Sequence, residues 1–539
     1  MSTALALAHA SDRIAEPALR VRLNGRRARE ADPVATAVSL NVLTCGSVDD
    51  GKSTLIGRLL WDTDGLPADQ RTRLERSPKT PAGTPDFSLL VDGLTAEREQ
   101  GITIDIAWRY LDTPRRRLVI IDSPGHEQYT RNMATGASHA DVAILLVDAR
   151  SGVKEQTRRH AAILDLMGVR RVILAVNKMD LVGWSEARFA EIRSAFEELA
   201  TRFGFDDAVS IPVSAVLGDN IAQTSAAMPW YTGRSLLDSL GRTPSRTARS
   251  KADFRFPVQF VVRAGQDFRG FAGTVTCGTV ATGDEVVEPV SGRRANVRRI
   301  VTMGRDLDTA RPGQAVVLEL DTDLDISRGA ILARGERAPV VARELEVKLV
   351  WLSDEPFAKD RGYLLRTATD LIPTTAMDIR AHLNLAELVE RPASGCAAND
   401  IAVGRLELGR SAAVDLYRQQ RATGSFILID AISGATVAGG VIVGAKAASA
   451  GTNRSNVFRL TRDLLARGIG ADLPAADART DEELRRRANE VALLMREAGV
   501  AVEVEDGWRT SGLDAATVWL AVLTALSFGF VGAVLFGLV

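Results

Sequence analysis

Cysteine is scarce in this sequence, and net charge is nearly absent. Cys45, Cys277 and Cys396 are the three cysteines among 539 residues, and no two of them form a CxxC pair. A disulfide framework is therefore excluded, and a reducing compartment is favoured. The formal net charge is -1, so the chain has no overall basic character, and we expect no nucleic acid among its partners.

The first 38 residues lack the apolar run that a secretory signal needs. They combine arginines with Asp12, Glu16, Glu30 and Asp32, whereas transit peptides are poor in acidic residues. We therefore expect residues 1–38 to be a flexible extension that precedes the folded part of the chain.

Charge is missing altogether from residues 515–539 at the other end of the chain. As a helix this segment would be about 37 Å long, which exceeds the hydrocarbon core of a bilayer at about 30 Å. Arg509 lies on its N-terminal flank and no lysine or arginine follows, which favours a cytoplasmic position for the bulk of the chain. We expect residues 513–539 to form a C-terminal transmembrane helix that tail-anchors the protein on the cytoplasmic face of a membrane. A buried C-terminal helix is the alternative.

The part between these ends divides into one α/β segment and two all-β segments. Residues 39–245 alternate short β-rich apolar runs with helical stretches, the pattern of a parallel sheet covered by helices on both faces. Residues 250–338 and 340–447 contain short strand-like runs separated by Gly and Asp turns, which indicates a β-barrel or a sandwich in each. Pro339 lies at the boundary between the two.

The first motif directly follows the first apolar run. Residues 46–53 fit the pattern G-x-x-x-x-G-K-[ST] between a predicted strand and a predicted helix. Glycines let backbone N–H groups surround a β-phosphate, Lys52 supplies positive charge to the β- and γ-phosphates, and the Ser53 hydroxyl can bind Mg²⁺. The predicted phosphate-binding residues are Gly46, Ser47, Val48, Asp49, Asp50, Gly51, Lys52, Ser53 and Thr54.

The second motif ends the next buried strand and consists of Asp122, Ser123, Pro124, Gly125 and His126. The Asp122 carboxylate can hold Mg²⁺, and Gly125 can offer its N–H to a γ-phosphate because no side chain stands in the way. His126 is the candidate catalytic residue, which positions or polarises the attacking water. A lone histidine is usually structural, so its place directly after Gly125 carries this hypothesis.

The third motif, at residues 177–180, indicates guanine recognition. The Asp180 carboxylate can accept hydrogen bonds from both N1–H and N2–H of guanine, a pattern that adenine does not present. Alone, this run could be a solvated loop, but three motifs in this order, each at a strand end, argue against coincidence. The predicted guanine-binding residues are Asn177, Lys178, Met179, Asp180, Ser214 and Ala215.

Thr103 lies in the run GITI at residues 101–104, between the phosphate loop and the second motif. A threonine on a mobile segment at this place can reach Mg²⁺ and the γ-phosphate only in the triphosphate state, which is the ordering switch of GTPases. The predicted metal ligands are therefore Ser53, Thr103 and Asp122, with Mg²⁺ bound together with GTP. The alternative for Thr103 is an ordinary strand residue.

With these motifs the chain resembles GTPases of the translation-factor type, which implies an α/β P-loop GTPase domain followed by two all-β barrel domains. The runs GSVDDGKSTLIGRLL, GLTAEREQGITIDIAWRY, DSPGHEQYTRNMATGASHAD and MPWYTGRSLLDSL more narrowly resemble the large-subunit family of bacterial sulfate adenylyltransferase, CysN. The resemblance covers about residues 39–445. It implies that GTP hydrolysis drives the reaction of ATP with sulfate, giving adenosine 5'-phosphosulfate and pyrophosphate, on a separate small subunit, CysD.

Two other functions are alternatives. Elongation factors, which bind aminoacyl-tRNA, typically carry His or Ser where this loop has Asp50 and His where it has Ser47, so the loop favours the sulfate family. The second alternative is a membrane-tethered scaffold whose switch has decayed. The intact residues that argue against decay are Lys52, Ser53, Asp122, His126 and Asp180.

Residues 448–512 follow the second β segment. In some relatives the large subunit is fused to an adenylylsulfate kinase, and residues 481–504 resemble a helix and a strand of that kinase. No second G-x-x-x-x-G-K-[ST] occurs after residue 430, so a kinase here lacks its phosphate loop. We expect a degenerate, inactive kinase-like remnant; an unrelated amphipathic helix is the alternative.

Overall fold

The computed structural model describes residues 39–447, with gaps at 64, 77–82, 92–102, 104, 245–251, 265–267, 304 and 335–337. Beyond residue 447 it describes 458–460, 486, 488 and 502–504. The predicted N-terminal extension at residues 1–38 and most of the predicted kinase-like remnant at residues 448–512 lie outside the described residues.

A six-stranded sheet forms the centre of the first domain, in the order β2-β3-β1-β4-β5-β6. Five strands are parallel, and β2 pairs with β3 in the antiparallel direction at one edge. The sequence pattern predicts the parallel strands but not the reversed edge strand. The strands are β1 (Leu40–Cys45), β2 (Ala107–Asp112), β3 (Arg117–Asp122), β4 (Val142–Asp148), β5 (Arg171–Asn177) and β6 (Asp207–Pro212).

Helices cover both faces of this sheet, which explains why its central strands are continuous apolar runs: every residue of β4 is buried. The hydrophobic core accordingly divides into two clusters, one on each face. Short 3₁₀ segments occupy Phe87–Leu90, Glu127–Tyr129 and Met179–Val182. The helices are α1 (Lys52–Asp62), α2 (Ala68–Glu75), α3 (Thr130–His139), α4 (Glu155–Leu166), α5 (Glu186–Phe203) and α6 (Leu236–Arg242).

A middle barrel follows the first domain. Its strands pair in the order β10-β15-β7-β8-β14-β11, and pairing of β10 with β11 closes the ring. Closure removes the open sheet edges that a sandwich would leave. The strands are β7 (Arg255–Ala264), β8 (Phe268–Thr274), β9 (Val280–Ala281), β10 (Glu285–Glu288), β11 (Arg293–Thr302), β12 (Arg305–Leu307), β13 (Thr309–Ala310), β14 (Ala315–Leu320) and β15 (Ile331–Ala333).

A C-terminal barrel closes in the same way. The ring runs β17-β21-β22-β16-β20-β18, and β17 also pairs with β18. The expected order of a P-loop domain and two β-barrels is therefore present. The elements are β16 (Val340–Trp351), β17 (Tyr363–Arg366), β18 (Leu371–Asn384), β19 (Val389–Pro392), β20 (Ile401–Val414), α7 (Arg421–Gly424), β21 (Ser425–Asp430) and β22 (Thr436–Ala447).

The prediction of a C-terminal transmembrane helix is wrong for the fold that the structure describes. Within the described ranges, no helix has the length and apolar character needed to cross a bilayer. Residues 513–539, on which the prediction rests, lie outside those ranges. A lack of charge favours insertion into a membrane, but it does not establish that the segment forms a spanning helix. The predicted membrane partner and the tail-anchored location depend on the same segment and are withdrawn with it.

Beyond the C-terminal barrel, β23 (Phe458–Leu460) pairs in parallel with β24 (Val502–Val504). Parallel strands need a long crossover between them, and more than 40 residues separate these two. The kinase-like remnant stays a prediction, with an unrelated amphipathic helix as its alternative.

The C-terminal barrel packs directly against the first domain. Val350, Ile401, Tyr417 and Val441 of the barrel belong to the same buried cluster as residues of α3, α4 and α5. The Tyr417 hydroxyl donates a hydrogen bond to the carbonyl of Met167, 2.8 Å away, just after α4 ends. The barrel and the helices of the first domain thus share one continuous apolar interface.

A buried ion pair joins the two barrels. The Arg255 guanidinium on β7 donates two hydrogen bonds to the Asp415 carboxylate, at 2.9 and 2.8 Å, and the Thr423 hydroxyl donates a third to the same carboxylate. The two charged side chains are only 3% and 4% exposed. Geometry of this kind compensates two desolvated charges, but only while both are present.

Replacing Asp415 with Ala is expected to lower the free energy of unfolding by roughly 3–5 kcal/mol, because the Arg255 charge stays buried without its counter-charge. The matched control is Glu285→Ala, which breaks the exposed pair with Arg294, where the side chains are 50% and 58% exposed. That loss is expected to be about 0–1 kcal/mol. Urea unfolding followed by fluorescence measures both; equal losses in the two variants would contradict the prediction.

Candidate nucleotide site

The phosphate loop joins β1 to α1 and is shaped by two left-handed backbone positions. Asp49 has a φ of 68° and Gly51 a φ of 91°. Gly51 caps the N-terminus of α1, and a Cβ at this position would overlap the side-chain amide of Asn177. Glycine is therefore required here both by the backbone conformation and by the close approach. The loop directs the N–H groups at the start of α1 to one place, as an anion site needs.

Lys52 lies at the centre of the loop and is buried. Its ammonium group donates hydrogen bonds to the carbonyls of Gly46 and Ser47, at 2.9 and 2.8 Å. Burial lowers the pKa of Lys52, and the nearby charges of Asp122 and Asp50 oppose that shift. A partly compensated buried cation of this kind has electrostatic attraction left for a phosphate.

Asp50 stabilises the loop from beneath. Its buried carboxylate accepts a hydrogen bond from the N–H of Ser47 at 2.7 Å, and its carbonyl accepts one from the Asn177 amide at 2.8 Å. Burial raises the pKa of Asp50, whereas the Lys52 charge and the Ser47 N–H lower it. The side chain and the main-chain carbonyl of Asp50 thus both hold the backbone of the loop in place.

The second motif lies directly against the phosphate loop. Asp122 is fully buried at the end of β3, and the Thr44 hydroxyl donates a hydrogen bond to its carboxylate at 3.3 Å. The Ser123 hydroxyl donates to the Thr44 carbonyl at 2.7 Å, which ties the ends of β1 and β3 together. A Cβ at Gly125 would overlap the Lys52 ammonium and also the backbone carbonyl of Gly46, which cannot move aside, so glycine is required here.

His126 begins the 3₁₀ segment after Gly125 and is partly exposed. Its Nδ1 accepts a hydrogen bond from the N–H of Gln128 at 3.3 Å. A ring nitrogen that accepts carries no proton, so the neutral ring carries its proton on Nε2. Pro124, which lies between Ser123 and Gly125, is buried.

Asn177 connects the third motif to both neighbouring loops. Its side-chain oxygen accepts a hydrogen bond from the N–H of Ala215 at 3.0 Å, while its amide nitrogen holds the Asp50 carbonyl. Lys178, in the left-handed region with a φ of 64°, donates to the carbonyl of Asp49. The structure therefore brings the phosphate loop, the 177–180 loop and the 214–215 loop together at one edge of the sheet.

The remaining predicted residues take the following places. Asp180 is partly exposed in the 3₁₀ segment after Lys178, and Met179 is buried beneath it. The Ser214 hydroxyl accepts a hydrogen bond from the N–H of Leu217 at 3.2 Å. Thr103 is partly buried and, within the described part of the chain, makes no hydrogen bond to the phosphate loop. Ser53 and Thr54 lie in the first turn of α1, and Val48 is partly exposed on the loop.

Sequence reasoning missed Asp148, which ends β4 beside the phosphate loop. Its carboxylate binds Lys178 at 3.1 Å and Arg150 at 2.6 Å. Burial alone raises the pKa of Asp148, but the hydrogen bonds from Arg150 and Lys178 lower it below the usual range. The signal was available, because an acidic residue directly after a fully apolar strand marks the same sheet edge as Asp122.

His160, on α4, was missed as well and lies behind the second motif. It is 2% exposed, and Gln156 is its neighbour at 3.1 Å through Nε2. Burial, together with the nearby positive charges of Lys52 and Arg159, lowers the pKa of His160 to about 3. The imidazole in the folded protein is therefore neutral between pH 5 and pH 8.

The residues present fit a magnesium nucleotide. The Ser47 hydroxyl is buried and has no hydrogen-bond partner among the described residues, in a loop that also presents the Lys52 ammonium and the N-terminus of α1. Such a cradle matches a phosphate chain. The oxygens of Ser53 and Asp122 belong to the hard donor class that Mg²⁺ prefers.

The fold and this arrangement define a GTP-binding domain of the translation-factor class. A family profile described as "Elongation factor Tu GTP binding domain" matches residues 38–245. A second, described as "GTP-eEF1A C-terminal domain-like", matches residues 344–443 in the C-terminal barrel.

The chain belongs to the family of sulfate adenylyltransferase subunit 1. The relative from Laribacter hongkongensis is 48% identical over 75% of this chain and 85% of its own length. The relative from Teredinibacter turnerae is 45% identical, over 77% of this chain and 89% of its own. The predicted resemblance to the large subunit is thereby confirmed, and with it the prediction of a GTPase subunit of the sulfate-activating enzyme.

A further relative is named as a bifunctional enzyme. NodQ of Rhizobium sp. (strain N33) is 48% identical over 75% of this chain, but the match spans only 63% of NodQ. The chain thus covers less than two thirds of the length of that relative.

The titration of His160 predicts how acid affects stability. The folded state keeps the ring neutral, whereas the unfolded chain takes up a proton near pH 6.5. The contribution of His160 to the free energy of unfolding is therefore largest above pH 6.5 and falls as the pH decreases. Between pH 8 and pH 5 this contribution falls by about 2 kcal/mol.

The variant His160→Gln is expected to lose this component of the acid sensitivity. The measurement is the urea midpoint at pH 8 and pH 5 for wild type and variant. His382→Gln, at a partly exposed position on β18, is the control and is expected to follow the wild type. Equal acid sensitivity of wild type and His160→Gln would contradict the burial of a neutral ring.

Proposed function

We propose that this chain hydrolyses GTP at the site described above, and that hydrolysis drives the reaction of ATP with sulfate on a separate small subunit. The observation that carries the GTPase part is the close approach of Gly125 to the phosphate loop, where a Cβ on Gly125 would overlap the Lys52 ammonium and the Gly46 carbonyl. It joins the motif that positions water to the loop that binds phosphate, so that one site both binds the nucleotide and cleaves it. Family membership supports the sulfate part.

In this proposal the phosphate loop, residues 46–54, binds the phosphates through its N–H groups, Lys52 and the Ser47 hydroxyl. Ser53 and Asp122 hold Mg²⁺, and Thr103 joins them in the triphosphate state. The metal supplies charge neutralisation on the β- and γ-phosphates. Asp180 accepts the two N–H groups of guanine, and residues 214–215 lie beside its O6.

His126 has a defined role in the proposal. Because its Nδ1 accepts from the N–H of Gln128, its Nε2 carries a proton and acts as a donor. A donor orients the attacking water, or stabilises the oxygen on which charge develops, and does not remove a proton. The Gly125 N–H would donate a hydrogen bond to the γ-phosphate.

Replacing His126 with Ala is expected to slow GTP hydrolysis by roughly 10²-fold or more, because the water loses its orientation. GTP affinity is expected to stay near that of the wild type, since the side chain lies outside the phosphate loop. His126→Gln, which keeps an N–H donor, should retain more of the rate than His126→Ala. Single-turnover hydrolysis and nucleotide titration measure both quantities; unchanged turnover in His126→Ala would refute the role.

We propose that the GTP-bound form binds the small subunit tightly. GTP hydrolysis then releases the small subunit, and this release is coupled to adenylyl transfer. Coupling of this kind requires different affinities of the two nucleotide states for the small subunit. The membrane scaffold has no support left, and elongation-factor activity is the competing outcome of the test below.

The reconstituted pair is expected to release pyrophosphate from ATP only when sulfate is added, and faster with GTP than with a non-hydrolysable GTP analogue. His126→Ala in the pair should remove most of the GTP-dependent gain. The readout is a pyrophosphate assay with GTP, analogue and no nucleotide side by side. Pyrophosphate release that is equally fast with and without GTP would overturn the proposal. Binding of aminoacyl-tRNA by the chain in place of the small subunit would overturn it as well.

The division of the chain that we propose follows the elements. Residues 39–245 are the GTPase domain, residues 250–338 the middle barrel and residues 340–447 the C-terminal barrel. Residues 448–512 are proposed as the degenerate kinase-like part.

A further inference from the structure

The backbone of the hydrolysis motif is anchored to helix α4. The Gln156 amide, in the first turn of that helix, donates a hydrogen bond to the carbonyl of Gly125 at 3.3 Å. That carbonyl belongs to the peptide group that joins Gly125 to His126. The orientation of this peptide, and with it the direction of the His126 side chain, therefore depends on a residue 31 positions beyond Gly125 in the chain.

Gln156 is itself held by His160, one turn further along α4. Their closest atoms, Gln156 Nε2 and His160 Nε2, are 3.1 Å apart. Because the buried imidazole stays neutral, its Nε2 can accept the second N–H of the amide. Both N–H groups of Gln156 are then used, one on the Gly125 carbonyl and one on His160, so the amide cannot rotate without losing a partly buried hydrogen bond.

Helix α4 is a firm support for this contact. Arg158 donates a hydrogen bond to the Ala386 carbonyl of the C-terminal barrel at 3.2 Å. Tyr417 of the same barrel binds the Met167 carbonyl directly after the helix. A side chain on a helix fixed at two further places positions its partner more accurately than one on a loop.

We propose that Gln156, oriented by His160, is a positioning residue for GTP hydrolysis that sets the Gly125–His126 peptide and thereby aims His126 at the attacking water. It acts through His126 and does not touch the nucleotide. The inference rests on the proposed GTPase function. Misplacement of a reacting group by about 1 Å can slow a reaction by roughly 10²-fold, so an anchor of this kind affects the rate of cleavage more than the binding of GTP.

The test compares kcat and KM for GTP hydrolysis by the full chain and by Gln156→Ala. The expected result is a fall in kcat of roughly ten-fold or more, with KM within about two-fold of the wild type. Gln156→Glu has nearly the same volume but lacks the N–H donors, and it should lose a similar part of the rate. Gln70→Ala, the same substitution at an exposed position on α2, is the matched control and should behave as the wild type.

The double variant His126→Ala/Gln156→Ala gives the decisive comparison. If Gln156 acts through His126, the double variant hydrolyses GTP no more slowly than His126→Ala alone, because the anchor has nothing left to aim. A purely structural role predicts that the two losses multiply. GDP affinity and the thermal midpoint of each variant confirm that the fold is retained.

The outcomes separate this inference from the proposed function. A wild-type chain that hydrolyses GTP while Gln156→Ala and Gln156→Glu retain its kcat would overturn the inference and leave the function intact. Multiplying losses in the double variant would also overturn it. A wild-type chain that does not hydrolyse GTP, alone or with the small subunit, would overturn both.

Discussion

The buried ammonium group of Lys52 is the charge on which the site depends. It cannot be buried alone, because desolvation of an isolated cation costs far more than one hydrogen bond returns. Its compensation comes from two loop carbonyls and from the carboxylates of Asp50 and Asp122. Those four groups belong to the phosphate loop and the end of β3, so compensating one charge brings the two motifs together. Gly125 then has to be glycine, since any Cβ would overlap the same ammonium group.

Helix α4 connects this centre to the rest of the molecule. Its first turn holds the Gly125 carbonyl, and its buried face shares a core with residues of the C-terminal barrel. A packed core transmits displacement because it has few voids in which a shift can be absorbed. A shift of the barrel against the first domain therefore moves the helix that carries Gln156. In physical terms, a protein bound to the barrel has a short route to the hydrolysis motif, through packed side chains and two hydrogen bonds.

The sequence predicts the motifs well because each consists of contiguous residues with a fixed backbone requirement. Gly51 and Gly125 are identified by pattern, and the structure supplies the contacts that make them obligatory. Residues whose role depends on partners far away in the chain cannot be identified from a contiguous pattern. Gln156 and His160 look like an ordinary polar pair on an amphipathic helix until the fold places Gly125 beside them. The reversed direction of β2 was missed for the same reason, since its partner β3 decides it.

The error at the C-terminus has a different origin. Charge-free composition is a property of single residues, whereas a spanning segment has to be a helix that is both long and apolar, and no helix among the described residues meets both conditions. The phosphate loop shows the opposite case. The sequence predicts Asp50 as a phosphate-loop residue and as a marker that separates the sulfate family from elongation factors. The structure shows in addition that its carboxylate accepts a hydrogen bond from the Ser47 N–H and its carbonyl accepts one from the Asn177 amide. Its side chain thus acts on the backbone beneath the phosphates. A residue that distinguishes the two families therefore also affects how firmly the backbone of the phosphate loop is held.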